Sequence, residues 1–254
     1  MTVFETEIDR AVEQFHILPE EQLARQARME QASPAKDYAH AGRIVIGVCG
    51  GDGIGPILMR ETRRILEVLL RDRIASGQIV LRDIEGLTLE NRLAKGEAVP
   101  RDVLAAIREC DVLLKGPTAT PKGGTLESAN VALRRDLDLY ANVRPVTVKE
   151  EGIDWIFFRE NTEGEYVLGS RGVVIPGKLA MDFKVTTDAG TRRIARAAFE
   201  YAKANGKTRV AIVTKANIMK KTDGGCMLRR RRHRRLRPNG ISGAPATKPP
   251  TAVR

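Results

Sequence analysis

Residues 44–56 read IVIGVCGGDGIGP, a short apolar run that passes directly into a glycine-rich turn. A short run rich in β-branched residues and closed by glycine is typical of a buried strand. Residues 57–70 then place Ile57, Ile65 and Leu69 at helical spacing. The stretch therefore predicts a strand, a tight turn and a helix, the opening of a β–α–β alternation.

The same alternation continues outward from this stretch and predicts an α/β sheet. Further strands are predicted at 79–82, 111–117, 141–145, 155–160 and 209–214. Further helices are predicted at 3–16, 100–109, 127–139 and 187–205. The last helix has Thr187 or Asp188 as its N-cap. Composition predicts a linker at 31–42 and glycine-rich hairpins and loops at 164–178.

The excess of positive charge is concentrated in the last thirty residues. The chain of 254 residues has 43 Lys+Arg against 32 Asp+Glu, a net charge of +11. Residues 225–254 hold 9 of the basic residues and no acidic ones, which leaves 34 against 32 elsewhere. The nearly neutral body does not favour nucleic acid as a partner. The Arg- and Pro-rich end predicts a disordered tail without aromatic residues for base stacking.

Several other classes of protein are disfavoured by the sequence. No apolar run approaches the ~20 residues that span a bilayer, so no membrane partner is expected. Acidic residues from Glu5 onward, without a basic and then apolar region, argue against a secretory or transit peptide. No metal-ligand spacing joins the histidines to the three cysteines, Cys49, Cys110 and Cys226. A cytoplasmic location is therefore expected.

An arginine set is the first candidate for chemistry. Arg134, Arg144 and Arg159 follow Ser128 and Asn130 along the chain. Each guanidinium presents a planar fork of donors that matches a carboxylate. Three of them in one pocket would suit a di- or tricarboxylate, although spacing alone favours a solvated charged face.

Tyr166, Lys215 and the glycine cluster are further candidates, each with a structural alternative. A tyrosine donates a proton more readily beside a cation, and Lys215 at the end of a predicted strand would supply one. A single tyrosine or lysine is more often structural. Residues 50–55 lie where a phosphate-binding loop would lie, but they lack the GxGxxG spacing and a following Walker lysine. A tight turn is therefore favoured there.

Five motifs resemble, in order, those of the isocitrate/isopropylmalate dehydrogenase family. They are GDGIGP at 51–56, KGP at 115–117, LRRDLDLYANVRP at 133–145, RENTEG at 159–164 and KANIMK at 215–220. Five ordered motifs are far more specific than any one of them. The resemblance covers 43–224 and is closest to isocitrate dehydrogenases, whose Ser-x-Asn pair is similar to Ser128 and Asn130.

The resemblance implies an α/β fold of this family's own type, not a Rossmann fold, and oxidative decarboxylation of a 2-hydroxy acid. It implies that Arg134, Arg144 and Arg159 bind substrate carboxylates. Ser128 and Asn130 would contact the additional carboxylate of isocitrate, a small-molecule partner.

The resemblance also assigns catalytic and cofactor roles. Tyr166 would protonate the enolate, and Lys215 would assist proton transfer from the hydroxyl in the neighbouring subunit's site, which implies a homodimer. Lys115, Thr120 and Asn217 would contribute to the site of NAD or NADP. Mg or Mn would stabilise the enolate charge.

The sequence departs from the family at Ile57, where glutamate is usual, at Ala129, where a larger apolar residue is usual, and after Gly224. Beyond that point the family continues with its metal-binding aspartates and adenine loop. The abrupt loss of acidic residues here predicts a shifted reading frame, an incomplete large domain and no turnover.

The expected division of the chain has four parts, which follow from the motifs and the composition. They are a helix and linker at 1–42, the start of the large domain at 43–140, a small or dimerisation domain at 141–224 and the tail at 225–254. Isopropylmalate, homoisocitrate and tartrate stay open as substrates. A non-catalytic fragment that binds, or that regulates an intact subunit, stays open as a function.

Overall fold

A computed structural model describes residues 3–31, 36–38, 40–121, 126–169 and 171–225 of the chain. The predicted tail, Cys226 included, lies outside the described residues except for Gly225. Within those ranges, no helix has the length and apolar character that crossing a membrane requires.

Helices and strands alternate through most of the described chain. The helices are α1 Val3–Glu30, α2 Gly55–Leu69, α3 Arg71–Ala75, α4 Leu89–Lys95, α5 Arg101–Arg108, α6 Ala129–Asp136 and α7 Asp188–Ala204. The strands are β1 Ile44–Cys49, β2 Ile79–Ile84, β3 Val112–Lys115, β4 Ala141–Val148, β5 Ile153–Glu160, β6 Val173–Ile175 and β7 Leu179–Met181. The predicted strand–turn–helix of residues 44–70 is confirmed as β1 and α2.

The chain forms two compact units. The first unit comprises Met1–Phe15, Glu30–Leu139 and Leu168–Met181. The described part of the second unit comprises His16–Met29, Tyr140–Val167 and residues 182–225.

A three-stranded parallel sheet in the order β2-β1-β3 organises the first unit. Its core consists of apolar side chains from β1, β2, the helices α5 and α6, and the loops before α4 and α5. These are Cys49, Ile84, Leu87, Val99, Val103, Ile107, Ala129, Ala132 and Leu133. Val103 and Ile107 lie one helical turn apart on α5, so a single helix face is buried. Parallel strands joined through helices confirm the predicted β–α–β alternation.

Antiparallel pairing organises the second unit. Strands β4 and β5 pair from Ala141 opposite Glu160 to Val148 opposite Ile153. Helix α7 packs on this pair, and the rings of Phe158 and Tyr201 lie with centroids 5.4 Å apart. The predicted N-cap is confirmed because the Thr187 hydroxyl accepts a hydrogen bond from the Gly190 amide at 3.0 Å.

Two sequence predictions need correction. The predicted strand at 209–214 is irregular in the structure, and Val213 is 92% exposed. A strand requires a hydrogen-bonded neighbour, and none of the described strands pairs with this run. The predicted helix at 3–16 is too short, because α1 continues through Pro19 to Glu30.

Gly51→Ala should destabilise the first unit far more than Gly53→Ala. Both glycines have positive φ, at +70° and +58°. A Cβ at Gly51 would lie 2.1 Å from the Pro117 carbonyl oxygen, whereas one at Gly53 would meet nothing within 4 Å. The Gly53 variant should lose about 1–2 kcal/mol from the left-handed backbone alone. Urea unfolding of both variants tests this, and equal losses would contradict the packing described here.

Candidate functional site

The glycine turn before α2 is closed by internal hydrogen bonds. The Asp52 amide donates to the Pro117 carbonyl at 2.7 Å. The Asp52 carboxylate accepts from the amides of Leu89 at 2.7 Å and Ala119 at 2.8 Å. Gly116 lies so close to this turn that a Cβ there would meet the Gly50 oxygen at 2.0 Å. The GDGIGP and KGP motifs thus form one packed joint, which fits the tight-turn interpretation.

Arg92 holds the loop beyond this joint and was missed by sequence reasoning. Its side chain is fully buried on α4 and donates to the carbonyls of Ala98, Ala119 and Glu127 at 2.7, 2.7 and 2.9 Å. Burial lowers the pKa of Arg92, and the nearby charge of Asp52 opposes this effect. No motif marked this arginine, because its partners are backbone atoms of distant residues.

Lys115 lies at the carboxyl end of β3, where α/β sheets place reacting groups. Its ammonium donates to the Gly116 carbonyl at 2.6 Å and the Thr118 hydroxyl at 3.2 Å. Burial lowers the pKa of Lys115, and the nearby carboxylate of Asp52 opposes this. Thr120, four residues beyond the Gly116 peptide, is exposed.

Three of the predicted substrate residues, Ser128, Asn130 and Arg134, lie on or next to helix α6 in the first unit. Ser128 is its N-cap, and the Ser128 carbonyl accepts from the amides of Val131 and Ala132. Asn130 and Arg134 are both partly buried and lie one turn apart, on the same face. The neighbouring Arg135 instead makes two 2.8 Å hydrogen bonds to the Glu127 carboxylate.

The second unit brings three of the predicted residues together. Asn142 pairs with Arg159 and Arg144 pairs with Phe157, so Arg144 and Arg159 are diagonal neighbours on one face of the β4–β5 pair. Both arginines are exposed. The Arg159 guanidinium lies over the Tyr166 ring, 5.6 Å from its centroid. Two exposed guanidinium groups therefore lie on one face of the β4–β5 pair, with a partly buried tyrosine ring beside one of them.

Lys215 and Asn217 lie on a loop rather than at a strand end. The Lys215 amide donates to the Asp223 carboxylate at 2.7 Å, and the Lys215 carbonyl accepts from the amides of Ile218 and Met219. The side chains of Lys215 and Asn217 are exposed.

A buried polar network lies behind the Arg159–Tyr166 segment. Glu163, only 3% exposed, accepts from Arg25 at 2.9 Å and from the amide and hydroxyl of Thr187. Arg25 also donates to the Thr162 hydroxyl at 2.7 Å, and Thr162 donates to Glu160 at 2.6 Å. Glu160 and Glu163, the acids of the RENTEG motif, therefore accept hydrogen bonds from other groups of the protein.

Sequence reasoning missed Arg25, although a signal was present. Leu18, Gln22, Arg25 and Met29 recur at intervals of four, three and four residues on α1, and each is at least partly buried. This is the spacing of a helix face that packs on other elements.

A divalent metal does not fit the residues described here. Across the described ranges, no three His, Cys, Asp or Glu side chains lie together as a metal site. Oxygen-rich Mg and Mn sites depend on carboxylates. The glycine turn also fits a cofactor phosphate poorly, because its Asp52 amide is used internally and its carboxylate adds negative charge.

The isocitrate/isopropylmalate dehydrogenase family model matches residues 45–237. The chain belongs to this family. The match confirms the resemblance drawn from the five motifs and shows a family of decarboxylating dehydrogenases. Helix α1, including Arg25, precedes the matched region.

Relatives with different names match the chain comparably well. It is 37% identical over 185 residues to a chloroplastic 3-isopropylmalate dehydrogenase from Solanum tuberosum, covering 68% of this chain and 48% of that protein. It is 37% identical over 180 residues to mitochondrial isocitrate dehydrogenase [NAD] regulatory subunit 3 from Arabidopsis thaliana, covering 68% and 45%. The chain thus spans about half the length of these relatives.

A solved structure confirms the fold. Isocitrate dehydrogenase from Methylococcus capsulatus superposes with a TM-score of 0.62 at 31% identity, covering 74% of this chain and 56% of that one. The expected α/β fold of the isocitrate/isopropylmalate dehydrogenase type is therefore correct.

Arg25→Ala should destabilise the second unit by about 3 kcal/mol, because it leaves the buried Glu163 carboxylate without its cation. Arg28→Ala, an exposed position on the same helix, is the matched control and should cost less than about 0.5 kcal/mol. Urea unfolding followed by circular dichroism measures both. Similar losses for the two variants would show that Arg25 is not a structural ion-pair partner.

Proposed function

We propose that this chain contributes the substrate-binding and proton-transfer residues of an isocitrate-type oxidative decarboxylation. The observation that carries the proposal is the surface formed by Arg144, Arg159 and Tyr166, with the Arg159 guanidinium 5.6 Å from the tyrosine ring centroid. Two guanidinium forks on one sheet face suit a substrate with more than one carboxylate.

Isocitrate is the proposed substrate among the family's 2-hydroxy acids. Arg144 and Arg159 bind its carboxylates bidentately. The family resemblance assigns the same role to Arg134. Ser128 and Asn130 carry hydrogen-bonding side chains at the start of α6, which suit an additional carboxylate better than an apolar group. Isopropylmalate, homoisocitrate and tartrate are the alternatives.

Proton transfer is assigned to two groups. The Tyr166 hydroxyl protonates the enolate carbon after carbon dioxide leaves, and the Arg159 guanidinium lies beside the tyrosine ring. Lys215 assists transfer of the proton from the substrate hydroxyl, and its exposed position on a loop is compatible with reaching a second subunit. A homodimer is therefore part of the proposal, as is a cytoplasmic location.

The oxidation half of the reaction is not assigned to the described residues. The proposed complete site also includes NAD or NADP, for which the family resemblance assigns Lys115, Thr120 and Asn217, and Mg or Mn. The described residues lack a carboxylate cluster for the metal. The proposed steps therefore involve the chain's own residues and neither the cofactor nor the metal.

Isocitrate should bind the full chain, and Arg159→Met should weaken binding by about tenfold or more, because a charged hydrogen-bonding pair is lost. Arg60→Met, which removes an exposed arginine on α2, is the control and should leave affinity unchanged. Isothermal titration with isocitrate, isopropylmalate, homoisocitrate and tartrate tests both points. Tighter binding of another acid would change the proposed substrate, and no binding of any acid would refute the proposal.

The purified chain alone should show no isocitrate oxidation with NAD or NADP and Mg or Mn, because its described residues hold no metal cluster. Absorbance of NADH or NADPH measures this directly. Robust metal-dependent turnover would contradict the expectation and would place the metal ligands within this chain.

A regulatory subunit is the second candidate function. The similarity to a subunit named as regulatory, together with the lack of a described carboxylate cluster, favours it. In this case the chain would pair with an intact family subunit and change its KM for isocitrate. Size-exclusion chromatography and kinetics of the mixture would distinguish this function from independent catalysis.

A further inference from the structure

Lys184 lies between the two segments that carry Tyr166 and Lys215. It follows β7 and precedes α7, and its side chain is 21% exposed. The ammonium is 3.0 Å from a Glu165 carboxylate oxygen and 2.9 Å from an Asp223 carboxylate oxygen. One cation therefore contacts an acid from each segment.

The first contact anchors the turn that carries Tyr166. Glu165 directly precedes Tyr166, and Gly164 is bridged to Val185, the residue after Lys184. The Gly164 amide donates to the Val185 carbonyl at 2.7 Å, and the Val185 amide returns a bond at 3.3 Å. The turn is thus fixed to the 184–185 segment by two backbone hydrogen bonds and one ion pair.

The second contact anchors the loop that carries Lys215. Asp223 is 11% exposed, and its second oxygen accepts from the Lys215 amide at 2.7 Å. Burial alone would raise the pKa of Asp223, but the hydrogen bonds from Lys184 and from the Lys215 backbone prevail and lower it. The loop 215–223 therefore closes on an ionised carboxylate that Lys184 neutralises.

We propose that Lys184 is a positioning residue that holds the Tyr166 turn and the Lys215 loop in a fixed relation. The role rests on the proposed function, in which both segments deliver proton-transfer groups. The two arms of the link differ in strength. Glu165 is 71% exposed and its ion pair contributes little, so the Tyr166 turn is held mainly by the Gly164–Val185 backbone bonds to the Lys184 segment. The ion pair of Lys184 with the partly buried Asp223 joins that segment to the Lys215 loop.

Hydrogen exchange of the full chain, followed at the Gly164 and Lys215 amides, tests the link. Lys184→Met should speed exchange at both amides by about tenfold, because local opening becomes easier. Lys184→Arg retains the cation and should restore protection to within about threefold of the original. Lys203→Met, an exposed lysine on α7, should change neither amide. Unchanged exchange in β4 and β5 excludes general unfolding as the cause.

Asp223→Asn provides the decisive variant, because Asp223 contacts the Lys215 loop but not the Tyr166 turn. We expect faster exchange at the Lys215 amide. We also expect faster exchange at the Gly164 amide, because Lys184 loses its Asp223 partner and holds the Tyr166 turn less firmly. An effect confined to Lys215, or failure of Lys184→Arg to restore protection, would overturn it.

These measurements need no substrate, so each of the two proposals can be refuted without refuting the other. If the chain binds no 2-hydroxy acid but exchange is coupled, the proposed function fails and the link itself stands. If isocitrate binds but Asp223→Asn leaves the Gly164 amide unchanged, the proposed function stands and the role of Lys184 is refuted.

Discussion

A buried carboxylate needs hydrogen-bond donors or a cation to offset its charge, and Glu163 is such a carboxylate in the second unit. Its oxygens accept from Arg25 on α1 and from the amide and hydroxyl of Thr187, the N-cap of α7. Leaving such a charge unpaired would cost several kcal/mol. Two helices are therefore held on the turn that follows β5. Arg159 and Tyr166 lie on either side of this turn along the chain, so their approach depends on it.

In the first unit, too, charged side chains are compensated by hydrogen bonds within the protein. Asp52 accepts two backbone amides, and the buried guanidinium of Arg92 donates to three carbonyls. These side chains satisfy backbone groups that no helix or strand serves. Irregular loops at the carboxyl ends of the strands are thereby fixed without secondary structure of their own.

The acids in the two most recognisable motifs, Asp52, Glu160 and Glu163, are all engaged internally. Arg144 and Arg159 remain exposed on one face of β4 and β5, and the partly buried Tyr166 ring lies beside the Arg159 guanidinium. An electropositive surface of this kind attracts anions and would repel a metal ion unless carboxylates accompany it.

The features that could be predicted from sequence are those encoded locally. The apolar run at 44–49, the glycine turn after it and the Thr187 cap each depend on neighbouring residues, and each has the predicted form. The run at 209–214 has strand composition, but a strand depends on a partner that composition does not reveal. Arg25 and Glu163 are separated by 138 residues, so no pattern within either segment could pair them. The approach of Arg144 to Arg159 required the strand register as well as the strands.

We propose that the face of β4 and β5 with Arg144 and Arg159 receives substrate carboxylates, whereas Arg25 stabilises the fold. NMR of the arginine Nε–H groups of the full chain, titrated with isocitrate, tests both roles at once. We expect saturable shifts for Arg144 and Arg159 with one shared Kd, and none for Arg25. Shifts at Arg25 with none at the two strand arginines would contradict this proposal.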